Sequence, residues 1–266
     1  MKLRTLTKYI LFASVIVFVS CSKHQQLLKS PDNEAKYAAA MDYFEENDYY
    51  RALQLFQQLI NFYKGTEKAE KLQYYYAYCH YEQEDYILAS YYFKRFAQNY
   101  PRSEFAEEAT FLSAYCYYLD SPRSSLDQTN TLQAINELQL FIDMYPNSER
   151  VEEASELIDE LRAKLQKKRY DIAKLYYKMD RYEAAIASFN NLLKDYPDNE
   201  YKEEALYYIF KSYYSYTLNS IRVKQEERYQ AALDSYNELV FQYPETEYLK
   251  EIENMRESLS KRLRKN

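Results

Sequence analysis

The residues that most often carry out catalysis are scarce in this 266-residue sequence, which has two histidines, three cysteines and one glycine. No HExxH, CxxC, GxSxG or glycine-rich phosphate motif occurs. His80 lies where the pattern described below expects a core tyrosine, so it is predicted to pack rather than to act as a base. Paired glutamates such as Glu107-Glu108 follow helix stops, where the helix dipole favours acids. The sequence therefore predicts no enzyme, no metal site and no bound cofactor.

A different chemistry is predicted at Cys21, which follows a basic start and the 11-residue apolar run 9–19. That run is too short to span a membrane and is typical of a signal peptide over residues 1–21. Phe18-Val19-Ser20-Cys21 resembles the bacterial lipoprotein signal, which implies a covalent N-acyl (palmitate) and diacylglycerol lipid on Cys21. Ser22 fits sorting to the outer membrane, with the body facing the periplasm. An ordinary signal peptide with an incidental cysteine is the alternative, and residues 22–33 are predicted to be a tether.

The two remaining cysteines, Cys79 and Cys116, occupy the same slot in successive repeats. Equivalent positions on neighbouring helices lie about 10 Å apart, whereas a disulfide needs Cα atoms about 5.5 Å apart. A disulfide stays open as an alternative in an oxidising compartment, but two buried free thiols are favoured.

A short motif that ends a helix recurs along the sequence, after aromatic-rich segments, and it marks the helices that position these residues. Four Tyr-Pro pairs begin at Tyr100, Tyr145, Tyr196 and Tyr243, and Tyr63-Lys64 stands in the fifth place. Proline ends a helix, and the Ser, Thr or Asn two residues later can cap the next one. Such a signal, recurring every 37 to 51 residues, indicates a helical repeat array.

A register of small and large residues supports the array. Each second helix has an alanine, with a large residue four and seven positions later, so the large residues share one face. The alanines are Ala52, Ala89, Ala134, Ala185 and Ala232. In the first helices a small residue precedes an aromatic or His80 by three positions, as in Ala40/Tyr43, Ala77/His80, Ala114/Tyr117 and Ala173/Tyr176; Phe210/Tyr213 lacks the small residue.

The pattern resembles the tetratricopeptide (TPR) repeat and implies an all-α, right-handed α-solenoid of five helix pairs with a long connecting helix. Residues 148–179 contain no proline or glycine and keep helical spacing, so they are predicted to form that helix. Residues 34–147 would hold repeats 1–3, and residues 148–266 would hold the linking helix and repeats 4–5. Insertions are predicted at 119–130 and 219–227, within the third and fifth repeats.

The lipoprotein signal, the repeats and Tyr-Pro-x-Ser-Glu boxes such as Tyr145-Pro146-Asn147-Ser148-Glu149 together resemble the BamD (YfiO) family. The resemblance implies a subunit of the β-barrel assembly machinery. It implies binding of the C-terminal half to the POTRA domains of BamA, and of the N-terminal half to unfolded outer-membrane β-barrel proteins. Other Bam lipoproteins are further partners to consider. A different periplasmic TPR adaptor, resembling CpoB of the Tol–Pal system, is the alternative; no sustained heptads precede Tyr37 to support it.

One binding surface is predicted from the residues themselves, on the first helices of repeats 1–3. Its positions carry eight aromatic side chains and one methionine, which suit recognition of a hydrophobic, aromatic-ended peptide. With 34 tyrosines in the chain, packing of these rings between helices is the alternative. Nucleic acid has no electrostatic support at a net charge of −6 with interspersed charges. The predicted peptide-binding residues are Tyr37, Met41, Phe44, Tyr74, Tyr78, Tyr81, Phe111, Tyr115 and Tyr118.

Overall fold

The computed structural model describes residues 23–264, and these residues form helices joined by short turns, with no strand among them. The predicted signal peptide and Cys21 lie outside the described residues. Residues 23–29 are helical. The helices that follow are α1 Asn33–Glu45, α2 Tyr49–Phe62, α3 Lys68–Glu82, α4 Tyr86–Asn99, α5 Ala106–Leu119, α6 Thr129–Met144, α7 Val151–Lys178, α8 Tyr182–Asp195, α9 Lys202–Leu218, α10 Arg222–Gln242 and α11 Leu249–Arg264. The all-α prediction is confirmed for this part of the chain.

The turn inside a helix pair is made without glycine in three of the repeats. Asn47, Glu84 and Asp180 follow α1, α3 and α7 with φ of 60°, 59° and 57°, which is the left-handed region. The next residue is the N-cap of the second helix. The Asp48 carboxylate, for example, accepts a hydrogen bond from the backbone N–H of Arg51. A single left-handed residue thus reverses the chain, at a cost that asparagine and aspartate tolerate best.

The turns between pairs follow the Tyr-Pro boxes. In the box at Tyr100, the N–H of Ser103 donates to the Tyr100 carbonyl, and the Ser103 hydroxyl accepts from the N–H of Phe105. Ser148 makes the same contact to Arg150. The side chain therefore closes the turn just before the helix, one or two residues earlier than a regular N-cap.

The register predicted for the second helices is confirmed by burial. All five alanines are inaccessible or nearly so, and the large residues that follow them are buried in every repeat. Because the methyl group takes little space, the partner helix can approach and the larger side chains fill the layer between pairs. The residues at the two later positions are Phe56 and Leu59, Phe93 and Phe96, Leu138 and Phe141, Phe189 and Leu192, and Tyr236 and Leu239.

The contacts divide the chain into two compact units. Unit 1 comprises residues up to Ser121 and Thr129–Ile158, and unit 2 comprises Pro122–Gln128 and Asp159–Asn266. The division falls inside α7. The predicted long helix is confirmed by the bounds of α7, Val151–Lys178. The predicted domain boundary between residues 147 and 148 stays a prediction. In unit 2 the loop 122–128 lies on α7, where the Lys168 ammonium donates to the Leu126 carbonyl.

Unit 1 begins earlier than the sequence predicted. Residues 23–29 were expected to belong to a tether, yet they are helical and packed. His24 is buried, its Nε2 lies 3.0 Å from Oε1 of Gln54, and its ring meets Tyr43 edge-on at 5.4 Å. Leu27 and Leu28 pack on the core of the first repeat. The tether prediction is wrong for these residues because they cover an apolar face that would otherwise meet water.

Two further differences concern unit 2. The insertion predicted at 219–227 is mostly helical, because α10 starts at Arg222 and extends the second helix of the fifth repeat. Helix α11 was not predicted as a separate element. It closes the last pair with Ile252 and Leu259, which are both buried. The array therefore ends on an amphipathic helix, as repeat arrays need at a terminus.

The burial of the repeat core generates a stability prediction. Phe189→Ala removes a ring that is 0% exposed and should lower the free energy of unfolding by about 3–5 kcal/mol, as large-to-small core changes do. Phe241→Ala is the matched control, because that ring is 86% exposed and should change stability by less than about 0.5 kcal/mol. Urea denaturation followed by circular dichroism measures both, and equal losses would contradict the core assignment.

Candidate partner-binding surfaces

The nine predicted peptide-binding residues form one surface of unit 1, which we call the aromatic face. They lie on α1, α3 and α5 at three positions fixed relative to Ala40, Ala77 and Ala114: three residues before, one after and four after. Two of the nine, Tyr74 and Phe111, are buried, and the other seven are half-buried. The register therefore places the set on one side of three successive helices.

The two buried members belong to the core. The Tyr74 ring stacks on Phe105 at 4.6 Å and also contacts Phe93 and Phe96. The Phe111 ring meets Phe141 and carries the Arg150 guanidinium over its face at 4.4 Å. For these two rings the packing alternative is correct.

The half-buried members fall into two groups. Phe44 contacts Tyr78 at 5.6 Å, and Tyr78 contacts Tyr81 at 5.8 Å. Tyr115 stacks on Tyr118 at 5.5 Å with ring planes 13° apart. Tyr115 is near enough to help raise the pKa of Tyr81, so the two groups approach each other across α3 and α5.

Two predicted members lie outside these groups, and two rings that were not predicted join them. Tyr37 pairs with Tyr63, under the ammonium of Lys68, and Met41 packs on the core of the first repeat. Tyr49 and Tyr75 each contact Phe44, at 5.5 and 4.5 Å. Their positions in the sequence could have identified them, because Tyr49 is the first residue of α2 and Tyr75 directly follows Tyr74, a predicted member.

The tyrosine hydroxyls of this surface are protonated at neutral pH, because the ordinary pKa of a tyrosine is about 10. Burial raises the pKa of Tyr78 further, to about 12, with help from the Glu82 carboxylate, and the pKa of Tyr81 also to about 12. Both hydroxyls can therefore donate hydrogen bonds. A half-buried layer of neutral rings with hydroxyl donors suits an apolar or aromatic segment that also offers carbonyl groups.

The equivalent positions of unit 2 carry different chemistry. Lysines stand where unit 1 has Met41, Tyr78 and Tyr115: the Lys174 ammonium donates to Tyr170 at 2.8 Å and to Glu204 at 2.9 Å. Lys211 repeats the arrangement with Tyr207 at 2.8 Å and Glu251 at 3.0 Å. Burial alone would lower the pKa of Lys174, but these hydrogen bonds outweigh it and raise the pKa. This arrangement was not predicted from the sequence, although Tyr-x3-Lys occurs at both places.

Unit 2 also has an uncovered apolar surface on α7, which we call the α7 stripe. It consists of Ile172, Leu175, Tyr176 and Met179, which are 40%, 54%, 38% and 56% exposed. Their spacing of three, four and seven residues places them on one helix face.

In repeats 3 and 5 two of the four equivalent positions are buried. Ile172 and Leu175 correspond to Ser113 and Cys116 in repeat 3, which are both buried, and Ser113 donates a hydrogen bond to Ser90 of α4 at 3.0 Å. Repeat 5 is similar, with Ser212 buried and Tyr216 bonded to Glu183 of α8. The α7 stripe thus stays exposed at positions that are partly or fully buried in repeats 3 and 5.

The groups that could perform catalysis are enclosed. His80 is buried, its Nδ1 lies 3.3 Å from the Asp85 carboxylate, and its ring stacks on Tyr92 at 5.3 Å. Cys79 and Cys116 are free and buried, and burial raises the pKa of the Cys116 thiol to about 12. Within residues 23–264 no group of three His, Cys, Asp or Glu could hold a metal, and no helix there is long and apolar enough to cross a membrane.

Paired helices, an aromatic face and an exposed apolar stripe are typical of a helical-repeat protein of the scaffold or adaptor class. Residues 29–228 match the YfiO family, described as an outer membrane lipoprotein. The match covers most of the chain, so the protein belongs to the YfiO family of outer membrane lipoproteins, which confirms the family resemblance. No curated protein sequence matches this chain.

Solved TPR structures resemble the chain weakly. The TPR2AB domain of yeast Sti1, in its pHSP90 complex, shares 12% identity and covers 86% of this chain and 98% of its own, with a TM-score of 0.40. A TPR repeats protein from Bacteroides fragilis shares 15% identity over 87% and 99%, with a TM-score of 0.38. The P58(IPK) TPR domain shares 16% over 91% and 68%, with a TM-score of 0.41. Likeness at this level carries no functional information.

The environment of His80 generates a pH prediction. Desolvation lowers its pKa below 6.5 in the folded state, against a partial opposite effect of Asp85. The unfolded state therefore binds more protons as the pH falls through about 6.5, and stability should decrease between about pH 7 and 5. His80→Tyr, which restores the residue of the neighbouring repeats, should flatten that slope. Urea midpoints measured across this range decide, and an unchanged slope in the variant would contradict the assignment.

Proposed function

We propose that the protein is a periplasm-facing subunit of the β-barrel assembly machinery, a scaffold that binds the POTRA domains of BamA and unfolded outer-membrane β-barrel proteins. Membership of the YfiO family over residues 29–228 supports this proposal. The anchor in the proposal is lipid attached to Cys21, which holds the protein at the periplasmic side of the outer membrane. Other lipoproteins of the machinery are additional candidate partners.

The observation that carries the scaffold role is the α7 stripe. Four apolar side chains at helical spacing are 38% to 56% exposed, whereas the positions equivalent to Ile172 and Leu175 are buried in repeats 3 and 5. Exposed apolar surface of this kind marks protein interaction sites. Nearby, Lys178 and Arg181 have no carboxylate partner among the described residues. We assign the stripe to the BamA POTRA domains, because it lies in unit 2, within the half of the chain that docks BamA in this family.

The aromatic face supports the second part of the proposal. Phe44, Tyr78 and Tyr81 present half-buried rings in contact with one another, and the hydroxyls of the two tyrosines are neutral donors. A C-terminal β-signal that ends in an aromatic residue could place its ring against these side chains and its carbonyls against the hydroxyls. Rings provide this contact at low entropic cost because they have few rotatable bonds.

The scaffold role is tested by charges placed in the stripe. The double variant Leu175→Glu, Met179→Glu should reduce the BamA recovered with affinity-tagged protein from solubilised membranes by about tenfold, since two carboxylates would have to be desolvated. Val223→Glu is the control, because Val223 is 89% exposed in unit 2 and lies outside the stripe. Full recovery with the double variant would remove the stripe from the interface. Failure of the unmodified protein to recover BamA would contradict the scaffold function itself.

The substrate role is tested on the aromatic face. Tyr78→Ala and Tyr115→Ala should each weaken binding of a β-signal peptide by roughly tenfold, because each removes one ring and one donor. Tyr50→Ala is the control, since Tyr50 is exposed on α2 and does not belong to the face. Fluorescence anisotropy with a labelled peptide measures the affinity, and circular dichroism checks the fold. Unchanged affinity in both variants with an intact fold would exclude the aromatic face as the peptide site.

A further inference from the structure

A second exposed apolar surface lies on the opposite helices of unit 1, and we call it the outer face. It consists of the solvent-facing positions of α2, α4 and α6, which lie two residues before and two, six and ten residues after each helix's buried alanine. Large apolar side chains occupy seven of these twelve positions, at least two on each helix, and each of the six named next is more than half exposed. They are Tyr50 and Phe62, Ile87 and Tyr91, and Leu132 and Met144.

The same positions in unit 2 are polar or small. On α8 and α10 they hold Glu183, Ala187, Asn191, Asp195, Gln230, Asp234, Glu238 and Gln242. Repeat stacking does not require apolar residues there, since unit 2 stacks without them. Single exposed apolar residues are common on proteins, but rows on three adjacent helices indicate a surface that leaves water.

The rows lie on successive second helices of unit 1. The Lys94 ammonium of α4 lies 2.6 Å from the Glu137 carboxylate of α6, which links these two helices. Between α2 and α4 runs a groove of about 690 Å³, lined by residues of both helices and of α3. The apolar side chains of the outer face therefore flank a polar cleft.

The chemistry of this groove is cationic. Lys64 and Arg95 line it together with the amides of Gln57, Asn61 and Asn99, and none of the described residues that line it is Asp or Glu. Both cations lack a carboxylate partner among the described residues, although the chain as a whole carries a net charge of −6. Two free cations with amide donors suit a phosphate group.

The position of the amino terminus indicates which occupant fits. His24 is hydrogen-bonded at 3.0 Å to Gln54, and Gln54 is itself a position of the outer face. Cys21 precedes His24 by three residues, so chain geometry limits their Cα separation to about 11 Å. A lipid attached to Cys21 would therefore anchor the chain close to residues 23–29, which contact α2 through His24. This step rests on the lipid anchor of the proposed function.

We propose that the outer face of unit 1 lies against the bilayer that holds the anchor. Its tyrosines and phenylalanine enter the interfacial region, where amphipathic rings are favoured, and its aliphatic side chains extend the contact. The groove between α2 and α4 takes the phosphate of a lipid headgroup through Lys64 and Arg95. The acidic outer positions of unit 2 would be repelled by anionic headgroups.

The sequence contains no tryptophan, so a single introduced tryptophan can serve as a fluorescent probe of this surface. In Tyr91→Trp, the full-length lipoprotein has a single tryptophan on the outer face; in the control Asn191→Trp, it lies on the polar outer positions of unit 2. Each is reconstituted in vesicles of phosphatidylethanolamine and phosphatidylglycerol, with and without nitroxide-labelled phospholipid. Emission from Tyr91→Trp should shift to shorter wavelength and fall by about twofold with the nitroxide lipid, as expected at the interface, while Asn191→Trp stays unchanged. Ile87→Trp replaces Tyr91→Trp should that variant fail to fold.

The outcomes separate this inference from the proposed function. Mass spectrometry of the purified protein first establishes acylation of Cys21; an unacylated protein would contradict the anchor, and this inference would fall with it. If Cys21 is acylated and the nitroxide lipid does not quench the outer-face tryptophan, this inference alone is overturned. The same holds if the emission shifts without quenching, because the tryptophan then contacts a second copy or another protein. Charge reversal by Lys64→Glu with Arg95→Glu should weaken the quenching of Tyr91→Trp, and unchanged quenching would exclude the phosphate site.

Discussion

Each second helix of a pair has a fully buried alanine where it packs on its neighbours. This contact determines which sides of the helix face the core, the preceding pair and solvent. Since the alanine methyl occupies little space, rings and leucines four and seven residues later can fill the layer between helix pairs. This fixes the rotation of each helix about its axis. One side must then be core, one must stack on the preceding pair, and the remaining sides are left for partners.

The fixed register lets the same framework present different chemistry in its two units. In unit 1 the inner positions hold contacting rings, whereas in unit 2 they hold Lys174 and Lys211, each satisfied by a tyrosine and a glutamate of its own chain. The contrast reverses on the outer positions, where unit 1 exposes large apolar side chains on three helices and unit 2 has only polar or small ones. Substitutions at non-core positions can thus change the function of a surface while the stacking contacts stay intact.

The repeated features could be predicted from the sequence, and the unrepeated ones could not. Five copies of one register gave the helix pairs, the buried alanines and the core position of His80, because each copy supports the others. Residues 23–29 have no second copy in the sequence. Their packing includes a contact between His24 and Gln54, which are 30 residues apart in the sequence. Within the aromatic face, spacing identified the side of the helix. It could not separate Tyr74 and Phe111, which are core, from their half-buried neighbours, because that depends on which rings approach from the next helix.

The two buried thiols have a consequence for the life of the chain before it folds. In an oxidising compartment Cys79 and Cys116 are vulnerable only while they are accessible, since the enclosed thiols are kept protonated and out of reach of oxidants. Both thiols therefore stay reduced only if the second and third helix pairs fold faster than an oxidant reacts with the thiols. Neighbouring hairpins form mostly local contacts, which are the fastest kind to make. The architecture that positions the binding surfaces thereby also shortens the interval of chemical risk.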